Sequence, residues 1–89
     1  MAITTTRTTG AAVAESMFGL ETAIEDFESE LDITESTDRK IELDTAIIDC
    51  QTALKPLLDS GVVGDEQTVE IELSTWERGV IERHTGMTL

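Results

Sequence analysis

The sequence predicts a mainly α-helical protein: an antiparallel, coiled-coil-like hairpin of two helices, then one short β-strand and a C-terminal helix. Three observations carry this expectation. Val13, Met17, Leu20, Ile24, Phe27 and Leu31 recur at alternating spacings of four and three, and the rhythm resumes at Leu43, Ile47, Cys50, Leu54 and Leu57. That spacing is a heptad seam, which gathers one apolar stripe on one side of each helix. From Thr68 to Leu73 the pattern changes to strict alternation, with Val69, Ile71 and Leu73 on one face and Glu70 and Glu72 on the other. Alternation of this kind marks a half-buried strand.

Taken in order, residues 1–10 form a polar, Thr-rich arm, flexible or extended, that ends at Gly10. Residues 11–89 are expected to make one small helical domain. The first helix should run from about Ala11 to Leu31, with Phe18 beside the seam and acids such as Glu21, Glu25 and Glu28 facing out. Asp32 to Thr37 reads as the turn, and Ser36 or Thr37 is the natural cap of the second helix. Ile41 and Ile48 are expected to form a second apolar line next to the seam of that helix. Pro56 lacks an amide hydrogen, so a kink or break is expected at Lys55, with Gly61 as the C-terminal cap. After the strand, Ser74-Thr-Trp-Glu77 fits a capping box, and a short helix should reach about His84, stopped by Gly86.

A strand needs a partner for its backbone groups. The candidates are the Thr-rich arm at residues 3–9, in the same chain or in a neighbour, with a contact between chains preferred because an 89-residue core is thin. On that expectation Val69, Ile71, Leu73 and Trp76 belong to an interface. Val80, Ile41 and Ile48 extend it.

Charge narrows the function. Nineteen acids against six bases give a formal net charge of −13, and only Lys40 and Lys55 are lysines. Nucleic acid and anionic membranes repel such a surface, since binding either needs clustered Lys or Arg. The acids are spread along the whole chain, Lys is scarce and Thr occurs 14 times. This composition fits a halophilic archaeon or its virus, where molar salt shortens the Debye length to roughly 3 Å and removes self-repulsion. The expected location is cytoplasmic or in a virion.

Chemistry finds little support. His84 is the sole histidine and has no Cys, Ser elbow or second His to work with. Cys50 lies on the seam, where a thiol is a small hydrophobe. Asp59 to Glu70 has Asp first, Gly sixth and Glu twelfth, as in a calcium loop, but Gly61 and Val63 supply no ligand oxygens. No cofactor, metal or enzymatic role is therefore expected. The strand-then-helix of residues 68–84 is similar to the opening of ribbon-helix-helix repressors. The second helix of that family is missing, however, and Glu70 and Glu72 stand where the strand would meet DNA. What remains is a structural or assembly protein, such as a head, connector or tail component of a virion, that completes its core by oligomerisation. The alternative is an acidic regulatory module, antitoxin-like or an adaptor, for a basic protein.

Overall fold

The computed structural model describes residues 3–62 and 64–89. Its elements are β1 (Ile3–Thr9), α1 (Gly10–Ile33), α2 (Thr37–Asp59), β2 (Thr68–Ser74) and α3 (Thr75–Thr85). The two long helices form the expected hairpin, and the strands pair into one antiparallel ribbon. The molecule is elongated, 44 × 28 × 20 Å, because α1 and α2 lie side by side along its long axis.

The seam is where the heptads put it. Val13 and Leu20 of α1 are buried, as are Leu43, Cys50 and Leu57 of α2, while Ile24, Phe27 and Leu54 pack partly buried against them. Ser36 caps α2, its hydroxyl accepting from the Arg39 amide at 3.3 Å. The helix does not break at Lys55. It runs through Pro56 to Asp59, so proline removes one amide donor without ending the helix, and left-handed Gly61 (φ +71°) follows the cap.

The strand finds its partner inside the chain, correcting the preference for a neighbouring copy. β1 and β2 pair along their whole length, from Ile3 opposite Ser74 to Thr9 opposite Thr68. Alternation puts Thr4, Thr6 and Thr8 on the same face as their direct partners Leu73, Ile71 and Val69. Residues 3–9 are thus one wall of the domain rather than a loose arm. The ribbon is stable here because its apolar face lies on the helices; two strands alone would be marginal.

Each strand runs into a helix with no loop between. Thr9 caps α1 by accepting from the Ala12 amide at 3.2 Å. Ser74 caps α3 in the expected capping box, accepting from the Glu77 amide at 3.1 Å while the Glu77 carboxylate accepts from the Ser74 amide at 2.8 Å. The start of α1 is also held from outside. The Gly10 amide donates to the Gln67 carbonyl at 2.7 Å and the Ala11 amide to the Asp65 carbonyl at 3.0 Å. So close is the loop that a β-carbon on Gly10 would stand 1.8 Å from the Gly64 carbonyl oxygen. Gly10 is therefore the position where the ribbon, α1 and the loop before β2 meet.

Arg78 of α3 closes the structure at the other end. Its guanidinium donates to the Thr4 hydroxyl at 2.7 Å, to the Thr6 hydroxyl, and to the Leu89 carbonyl at 2.6 Å. One side chain thus joins the first strand, the last helix and the tail.

Candidate interaction surface

The expected interface residues divide into two groups. Val69, Ile71, Leu73 and Val80 are all buried, in the chain's own core. They are the ribbon and α3 contributions to one hydrophobic cluster, and a partner could not reach them without unfolding the ribbon. Trp76 stands at the exposed start of α3, 39% accessible.

Ile41 and Ile48 behave otherwise. They are 61% and 60% exposed, and they lie across α2 from the seam rather than next to it. The geometry is simple: Ile41 precedes Leu43 by two residues, about 200° around a helix of 3.6 residues per turn. Phe18 is corrected in the same way. It follows Met17 by one residue, about 100° around α1, and is 72% exposed.

The two isoleucines belong to a longer line. Asp38, Ile41, Thr45, Ile48, Thr52 and Lys55 follow one another at spacings of three, four, three, four and three. This second heptad register lies on the face of α2 opposite the core. Its threonines are less polar than they look, because the Thr45 hydroxyl donates to the Ile41 carbonyl at 2.9 Å and the Thr52 hydroxyl to the Ile48 carbonyl at 2.8 Å. With the hydroxyls satisfied within the helix, the γ-methyls are what these positions offer outward. The stripe is legible in the spacing once Thr is read as a methyl-bearing residue.

Charge is unequal around it. Across α2, five acids share the helix with Arg39, Lys40 and Lys55, whereas α1 carries seven acids and no base. Arg39 joins the two helices at the turn, donating to Glu30 at 3.0 Å and to Glu42 at 3.1 Å. The hydrogen bond from Arg39 holds the Glu30 carboxyl below the usual carboxylate range.

Other places offer less. A shallow cleft between the end of α2 and β2 is lined by Pro56, Asp59, Ser60, Glu70, Ile71 and Glu72. Among the described residues no group of three or more His, Cys, Asp or Glu could hold a metal ion. Cys50 is buried, and burial pushes its thiol pKa up, making it a poorer nucleophile. His84 packs edge-on against Phe27, with ring centroids 5.6 Å apart. Among the described residues no helix is long and apolar enough to cross a membrane.

No family model, curated protein or solved structure matches this chain.

Proposed function

We propose that this chain is a non-enzymatic assembly protein that acts through protein–protein contact on the outward face of its helical hairpin. The observation that supports the reading is the exposed isoleucine stripe of α2, on a helix whose opposite face is already spent on the core. Large aliphatic side chains at heptad spacing on a solvent face are what a helix-to-helix contact requires. The acid-rich composition agrees with a high-salt setting, and a small subunit of a halophile's virion (head, connector or tail) is the proposed home.

A second reading rests on α1. α1 carries seven carboxylates without a base and exposes Phe18, which suits an acidic module that covers a basic protein. Stoichiometry separates the two readings. The test is purification in about 2 M KCl, with light scattering and mass spectrometry of whatever co-purifies. Multiple copies or a larger array support assembly, and a one-to-one complex with a basic protein supports the adaptor. A monomer that finds no companion and does not associate up to about millimolar concentration overturns both.

A further inference from the structure

We infer that the outward face of α2 is self-complementary, and that its occupant is the same face of a second copy, packed antiparallel about a two-fold axis. The inference rests on the assembly reading and specifies its partner. When the stripe is laid against itself in reverse, Ile41 meets Thr52 and Thr45 meets Ile48, so each isoleucine faces a threonine methyl. At both ends Asp38 of one copy meets Lys55 of the other. This is the layer pairing of an antiparallel coiled coil, with two apolar pairs on each side of the axis and an opposite-charge pair closing each end.

Two further features fit this occupant. Leu58, 54% exposed on its own chain, falls opposite Thr37 of the second copy. α2 is also the long helix on which bases moderate the acids, so it is the flank along which two chains of charge −13 can approach. The opposing element is Glu42 facing Asp49 of the second copy, and Arg39 already partners Glu42 within the chain. The stripe from Asp38 to Lys55 is only about 26 Å long on a helix about 10 Å across, so it offers roughly 260 Å², well short of the roughly 800 Å² per partner of a standard-size complex. The dimer is therefore weak and concentration-dependent.

The experiment is sedimentation equilibrium on the full chain at about 0.5 M KCl, where a Debye length of roughly 4 Å damps long-range repulsion but spares contacting pairs. Circular dichroism verifies that each variant is folded. The wild type should dimerise as its concentration rises, and Ile48→Asn should weaken the dimer roughly tenfold or more. Lys55→Asp places like charges at both ends and should weaken it about tenfold. The double variant Asp38→Lys/Lys55→Asp restores both pairs and should return to within about threefold of wild type. A dimer indifferent to these changes, or a double variant no better than Lys55→Asp, overturns this register and leaves the assembly reading on another surface. A wild type that stays monomeric at millimolar concentration overturns self-association. The co-purification experiment above then decides separately whether a different protein takes its place.

Discussion

The two long helices are nearly equal in length, 24 and 23 residues, and supply facing halves of one seam, yet they differ at their starts and on their outer faces. α1 begins inside the structure, with Gly10 pressed against the Gly64 carbonyl and two amides given to the 65–67 loop. α2 begins in solvent, where Ser36 caps it. The outer face of α1 holds carboxylates that repel, while that of α2 holds a line of methyl groups. The lesson is that a shared core seam leaves each helix free to do something different with its far side.

The sharpest way to break the comparison is at the helix starts. Gly10→Ala should cost about 3 kcal/mol or more, because its methyl has nowhere to go but into backbone that must move. Denaturant unfolding would show it, and a loss under 1 kcal/mol would mean that the loop does not press on α1 as described.

The seam provides the next test. Leu20→Ala removes a fully buried side chain and should cost about 3 kcal/mol or more, whereas Leu54→Ala, at a partly buried site, should cost about 2 kcal/mol. A reversal of that order in urea melts would mean that the two helices share the core differently.

Salt tests the outer faces. Removing charge from α1 with Glu21→Gln/Glu25→Gln/Glu28→Gln should raise the Tm at about 0.1 M KCl by several degrees, and by little at about 2 M. On α2, Asp38→Asn/Asp44→Asn removes two charges and should do less per charge removed, since Arg39, Lys40 and Lys55 already offset its acids and Asp38 favours the helix start. If the Tm of the unaltered protein is the same at both salt concentrations, high-salt adaptation is wrong. By contrast with Gly10, the open cap is a modest contributor: Ser36→Ala should cost about 1 kcal/mol.

The smallest effect is expected from His84. Burial, assisted by Arg83 and opposed by Asp49, lowers its pKa below the ordinary 6.5. The unfolded chain then takes up the proton first, so the contribution is fully present above pH 6.5 and is lost as the pH falls through the lowered value. His84→Gln should flatten stability between about pH 7 and pH 5, read as Tm against pH. An unchanged slope would place the titration elsewhere.

The sequence by itself determined the seam, the turn, the capping box at Ser74 and the strand at 68–73, because each is written in local spacing or local hydrogen-bond chemistry. Ile41 and Ile48 are expected next to the seam when only apolar character is counted, yet their offset of two residues from Leu43 and Cys50 is about 200° of helix rotation and already sets them opposite it. Tertiary structure decided the rest. Thr4, Thr6 and Thr8 carry no strong apolar signal, so only their pairing with Leu73, Ile71 and Val69 reveals that the arm is a wall of the core. That pairing turned Val69, Ile71 and Leu73 from expected interface into interior. Pro56 stays helical because the residues around it, Ala53 and Leu57, are buried on the seam, and their packing outweighs one missing hydrogen bond. In the sequence Gly10 reads as the end of the arm, but its missing side chain makes room for a loop more than fifty residues away. Contacts of that range leave no period in a sequence, because they depend on where the chain returns rather than on what stands beside it.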